Sequence, residues 1–145
     1  MVLKEYYENL QKAKKQKEEA IFMELFGAGT LISFNFDTRF QKKKNGMGLR
    51  FGLGFTRIRR TEKMSVPLQI NYLWGESDEH LEVGIGTTFF LSNSIKGAGT
   101  LTTGYRYQSK KKNLLLRVTA DFFLSYKSPN PEIFPALGFS IGHAL

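Results

Sequence analysis

Two histidines bound the catalytic chemistry that this sequence can hold. His80 follows Ser77, Asp78 and Glu79, and His143 stands in the closing run GFSIGHAL. Acyl transfer needs a hydroxyl nucleophile beside a histidine, with an acid to orient it. The position two after His143 is Leu145, so that nucleophile is missing, and His80 reads as a solvated turn residue. Asp78, Glu79 and His80 are metal-ligating types, but neighbours in a turn seldom converge on one ion, and two histidines cannot make a three-histidine zinc site. With no Cys, disulfides, cysteine zinc sites and thiol catalysis are excluded. Gly52-x-Gly54 and Gly84-x-Gly86 precede neither a helix nor a Lys-Ser/Thr pair, so they are not phosphate loops. The expectation is a chain that is not an enzyme and takes no cofactor and no metal.

A different set of residues asks for a different explanation. Glu24, Asp37, Glu82 and Asp121 supply four negative charges, and Arg39, Arg50, Arg106 and Arg117 four positive ones, all inside otherwise apolar stretches. The cations are all Arg, whose planar fork suits desolvated pairing with carboxylates better than the Lys ammonium does. Buried charge is tolerated when it is paired, so balance is expected of an interior and is unnecessary on a wet surface. The question is which elements would bring these eight together.

From Ala20 onward the hydropathy period is two. Apolar residues, joined by Thr87 and Thr103, occupy every second position in Leu49–Phe55, Val66–Trp74, Leu81–Leu91, Leu101–Tyr107, Leu114–Leu124 and Leu137–Ile141, which predicts six strands. Ile21, Met23 and Leu25 are apolar and odd-numbered, whereas Ile32, Phe34, Phe36 and Phe40 are apolar and even-numbered. The phase flips across Gly27-Ala28-Gly29-Thr30, where glycines would supply the positive φ of a tight hairpin turn. A hairpin makes eight strands in all; one bulged strand would make seven. The 145 residues form one barrel over 20–145, preceded by a charged, partly helical tail over 1–19. In that tail Leu3, Tyr6, Tyr7, Leu10 and Ala13 fall near helical spacing, which allows either a solvated tail or a surface-lying or plug helix. Compact connections at Gln41–Gly46, Glu76–His80 and Ser109–Asn113 alternate with mostly longer ones at Ile58–Ser65, Asn93–Gly99 and Tyr126–Ile133. Such alternation is expected of an all-β, closed, up-and-down antiparallel transmembrane barrel. Its last strand should pair with its first, because open edges are costly in lipid.

Alternation alone does not say which face is inside. A membrane barrel turns its apolar face outward, and a soluble lipocalin-like barrel binding a hydrophobic ligand turns it inward. The polar face carries Gly52, Gly54, Gly84, Gly86, Gly104, Gly138 and Gly142, almost no Lys, and the eight balanced charges. Small residues make room in a crowded barrel interior, so that face is read as the lumen, filled by side chains with no open pore. Tyr72, Trp74, Tyr105 and Tyr107 then stand outward at the rim with the compact turns, as interface aromatics. No stretch of 18 apolar residues exists for a membrane helix.

The runs MELFGAGTLISFNFDTRF, GLRFGLGF, VPLQINYLWG, HLEVGIGTTF, GYRYQ and GFSIGHAL resemble small bacterial outer-membrane β-barrel proteins of the uncharacterised "outer membrane protein beta-barrel" type, over about Glu24 to Leu145. The resemblance implies residence in the bacterial outer membrane and a structural or surface-interaction role. It carries no activity and no site residues to transfer. Residues 1–20 hold no continuous apolar core, so an export signal is taken to have been removed. The formal charge of +8 raises nucleic acid as a partner. Its clusters, at Lys42–Lys44, Lys110–Lys112 and Arg57/Arg59/Arg60, fall at opposite rims rather than in one stripe, so none is expected. The lipid bilayer is the expected partner of a monomer. Arg57, Arg59, Arg60 and Lys63 are candidates for contact with anionic lipid such as lipopolysaccharide.

Overall fold

The computed structural model describes residues 2–14, 18–41, 43, 45–58, 60–91, 95–109, 111–125 and 131–145. Helix α1 (Val2–Lys14) precedes eight strands: β1 (Glu19–Leu25), β2 (Ile32–Arg39), β3 (Gly46–Ile58), β4 (Thr61–Trp74), β5 (Glu79–Leu91), β6 (Ile95–Ser109), β7 (Leu114–Ser125) and β8 (Glu132–Ala144). Each strand pairs antiparallel with its sequence neighbours, and β8 pairs with β1, which closes an up-and-down barrel. The phase flip at Gly27–Thr30 is therefore a hairpin and not a bulge.

The ladder fixes the stagger. From Leu25, following Ile32, Phe55 and Met64 reaches Leu91 on β5; going the other way through Phe139, Val118 and Tyr105 reaches Leu81, ten residues away on the same strand. A shear of that size on eight strands tilts them by about 35–45° and leaves an interior just wide enough for side chains. Registers are set by the period-two pattern, because a one-residue slip would move every apolar side chain of a strand to the other face.

The connections depart from the sequence expectation. The long ones expected at Ile58–Ser65 and Asn93–Gly99 are short, because the strands run on: Ile58 pairs with Thr61 and Leu91 with Ile95. β8 likewise begins at Glu132, inside the connection expected over Tyr126–Ile133. A backbone ladder needs alignment rather than apolar side chains, so strands continue into polar sequence where the hydropathy signal has ended. Arg59 lies outside the described residues, as do residues 126–130.

β1 and β2 are short, with seven and eight residues against twelve or more in the other strands. Their connection folds inward. Gly27, Ala28 and Gly29 are buried, and Ala28 has no exposed surface. The hydroxyl of Thr88, on the opposite wall in β5, donates to the Ala28 carbonyl at 2.7 Å, and that of Ser65 in β4 donates to the Gly29 carbonyl at 2.7 Å. The positive φ values of the turn belong to Phe26 (62°) and Thr30 (80°), not to the glycines. The glycines answer to space instead: a Cβ on Gly27 would fall on the Glu24 carboxyl group, and one on Gly29 on the Ser33 side chain.

Candidate functional site

Alternation of the strands puts the eight charged residues of the sequence on one face, and closure puts that face inside. Glu24, Asp37, Arg39, Arg50, Glu82, Arg106, Arg117 and Asp121 are all buried. Arg117 reaches two carboxylates. Its Nε and Nη2 donate to the two oxygens of Glu82 at 2.8 and 2.9 Å, and its Nη1 donates to Glu24. Arg50 completes the Glu24 site with a bond of 2.6 Å. Arg106 pairs with Asp37 at 2.8 Å and lies 3.8 Å from Glu82, while Arg39 pairs with Asp37 and Asn71. Fork geometry and low dielectric both favour such pairs, and the same low dielectric penalises any group left alone.

Asp121 stands apart from this set. The expectation placed it among the ion pairs, but it accepts hydroxyl hydrogen bonds from Thr102 and from Thr119 (2.7 Å) and takes no part in the salt bridges among the described residues. The reason is its level in the wall. Asp121 lies opposite Ala136, four residues further along β7 than Arg117, whose fork points toward Glu82 and Glu24.

Neutral residues that the charge pattern did not single out complete the network. Asn71 donates to Asp37 at 2.8 Å, and Asn35 accepts from Arg50 at 3.1 Å. Gln69 accepts from Arg50 at 3.1 Å and donates to Thr102 at 2.8 Å. Gln108 accepts from Arg106 and donates to Glu18, which ties the base of the tail to the lumen. The guanidinium groups of Arg50 and Arg117 each lie over the Phe22 ring, 5.3 and 5.4 Å from its centroid. Inward register was the available signal for all of these, and pairing was not readable from it.

His80 is a further correction. The expectation of a solvated turn residue fails because β5 begins at Glu79, which makes His80 an inward strand residue opposite Arg106, only 3% exposed. Glu79 points the other way and accepts from the Tyr105 hydroxyl at 2.9 Å, so these two neighbours lie on opposite faces of the wall. His143 is exposed at the same rim, its Nδ1 2.6 Å from the Asn113 carbonyl.

Tyr72, Trp74, Tyr105 and Tyr107 stand on the outer face beside the compact turns, with the Tyr72 and Trp74 rings 4.6 Å apart. Arg57 and Arg60 are exposed and Lys63 half-buried at the opposite rim. The outer face elsewhere is apolar: Phe51, Ile85 and Val118 are exposed there, which inverts the wall that a soluble carrier would need.

The turn at Gly27–Thr30 divides the interior. Toward the compact-turn rim lie the ion pairs. Toward the other rim the inward positions carry Thr56, Ser65, Pro67, Thr88, Ala98, Thr100 and Phe123, with Lys63 and Lys96 at the mouth.

No protein-family model matches the chain, and no curated protein matches it. Among solved structures, the N-terminal β-barrel domain of OprF from Pseudomonas aeruginosa is similar over 89% of this chain and 96% of its own, with a TM-score of 0.57 and 12% identity. Ail, the attachment invasion locus protein of Yersinia pestis, solved in complex with the heparin analogue sucrose octasulfate, matches over the same shares with a TM-score of 0.44 and 10% identity. The first of these likenesses is one of fold, a β-barrel, which in this chain is closed, eight-stranded and antiparallel.

Proposed function

We propose that the chain is an integral β-barrel of the bacterial outer membrane, with a structural or surface-interaction role and no catalytic activity. One observation carries this reading, the polarity of the wall: Ile85 on the outer face is 67% exposed, while Arg117 on the inner face is 2% exposed. A belt of Phe, Leu, Ile and Val around the whole circumference is far more apolar surface than a soluble monomer leaves in water. Acyl chains are the solvent that accepts it, and closure satisfies the backbone that they cannot. The aromatic group at Tyr72, Trp74, Tyr105 and Tyr107 suits one membrane–water interface, where a ring is half sunk and its polar atom is wet.

The lumen is closed to solutes in this reading, because four guanidinium groups and their carboxylate and amide partners occupy its cross-section. The barrel works as a monomer. Arg57, Arg60 and Lys63 face the phosphates of anionic lipid, including lipopolysaccharide, and the exposed Lys43, Lys111 and Lys112 face headgroups at the other rim. The test is extraction. The folded protein is expected to need detergent and to run faster on gels before boiling than after. A chain that stays monodisperse without detergent would overturn the proposal and favour a soluble carrier.

A further inference from the structure

The helix at the start of the chain has a face that the barrel does not use. α1 (Val2–Lys14) has 13 residues. The helical period puts Val2, Leu3, Tyr6 and Tyr7 on one side and Lys4, Glu5 and Glu8 on the other. The Tyr6 and Tyr7 rings meet edge to face, with centroids 6.1 Å apart. Nothing among the described residues covers this stripe: Leu3 is 71% and Tyr7 63% exposed. A helix this short is marginal in water, and helices in proteins take most of their stability from packing an amphipathic face. α1 therefore needs a surface to lie on.

The attachment says where that surface is. Glu18 is fixed at the compact-turn rim: its backbone carbonyl accepts from the Arg39 amide at 3.0 Å, and its carboxylate accepts from Gln108 at 3.4 Å. Lys14 is four residues away, so the end of α1 stands no more than about 14 Å from Glu18. Tyr72, Trp74, Tyr105 and Tyr107 stand on the outer wall at the same rim. In the membrane reading they mark the boundary between water and acyl chains. The lumen cannot take the helix, because Asp37, Arg39, Arg106 and Gln108 fill it at this end and a helix with its side chains is about 10–12 Å across. The lipid-facing wall would put Lys4, Glu5 and Glu8 into hydrocarbon. The headgroup layer accepts both faces, and Tyr is a residue that it favours.

We infer that α1 lies flat on the bilayer at the compact-turn rim, with Val2, Leu3, Tyr6 and Tyr7 sunk among the lipid headgroups and Lys4, Glu5 and Glu8 in water. This second hold on one leaflet deepens the membrane reading above and rests on it.

Collision accessibility of a nitroxide label tests it. The chain has no Cys, so single cysteines can be introduced and labelled in the full chain, reconstituted in phosphatidylcholine vesicles. Leu3→Cys and Tyr7→Cys report the stripe, and Glu5→Cys and Glu8→Cys the opposite side. Ile85→Cys reports the outer wall and Glu76→Cys a compact turn in water. Oxygen concentrates among acyl chains and a nickel chelate in water, so the ratio of their collision rates reads immersion. That ratio is expected to be several-fold higher at Leu3 and Tyr7 than at Glu5, Glu8 and Glu76. Labels at Leu3 and Tyr7 that match Glu76 would show a solvated helix and refute the inference. Equal ratios at all four helix positions would refute the orientation on which it depends. Shielding of Leu3 and Tyr7 from both reagents would refute it too, since protein, either the lumen or a second copy, would then cover the stripe. All three outcomes leave the membrane barrel standing as long as the Ile85 label prefers oxygen. If that label does not, the membrane reading fails and the inference with it.

Discussion

From β7, Arg117 bridges Glu24 on β1 and Glu82 on β5, so its loss leaves two buried carboxylates short of a partner. Arg117→Leu is expected to destabilise the barrel by about 3–5 kcal/mol, the range for removing one member of a buried pair. A lowered urea midpoint of the detergent-folded protein, read from the heat-modifiable band, checks this. Arg106→Leu should act in the same direction through Asp37. Wild-type midpoints in both variants would show that the network carries little of the stability. Arg117→Lys is not expected to rescue, because a single ammonium cannot reproduce a two-pronged bond to Glu82 while reaching Glu24.

At the level of the element, the β1–β2 turn is the unusual part. Thr30 holds a left-handed φ of 80°, a conformation in which a β-branched residue is strained, and its buried hydroxyl has no hydrogen-bond partner among the described residues. Thr30→Gly is expected to stabilise the folded barrel by about 1 kcal/mol through relief of that strain, read as a raised unfolding midpoint. The anchors act the other way. Thr88→Val and Ser65→Ala each remove one hydroxyl bond to the turn and should each cost about 1 kcal/mol. Hydrogen exchange of the Gly27–Thr30 amides should rise in both variants while the β5–β6 ladder is unchanged. Unchanged exchange at the turn would mean that packing, not these two bonds, holds it across the lumen.

On the scale of the whole molecule, a shear of ten on eight strands leaves room for side chains rather than for a water column. The interior is filled by charge pairs on one side of the inward turn and by small and aromatic groups on the other. Planar bilayers containing the protein are therefore expected to show no stable conductance steps. Reproducible steps would mean that the Arg–carboxylate set leaves a continuous wet path. The same architecture explains the distribution of the excess positive charge. The inner face is balanced, so the surplus sits at the two rims, where Lys43, Lys111 and Lys112 stand on one side and Arg57 and Arg60 on the other.

The wall was legible from the order of residues alone. Period two fixes which residues share a face, and the Arg–carboxylate balance with the clustered glycines fixes which face is inside, because both follow from local geometry and from the cost of unpaired charge. Glu24 and Arg117 could be assigned to the interior from their positions in the pattern alone. That they meet follows from the closed barrel, since closure and shear bring together residues 93 apart in the chain. The same holds for Asp121, whose level in the wall gives it threonine hydroxyls instead of a guanidinium. Strand ends were illegible wherever pairing outlasted the apolar pattern, as at Ile58–Thr61 and at His80. The inward turn was illegible too, because its partners Ser65 and Thr88 lie in distant strands and only the folded barrel sets them across from Ala28 and Gly29.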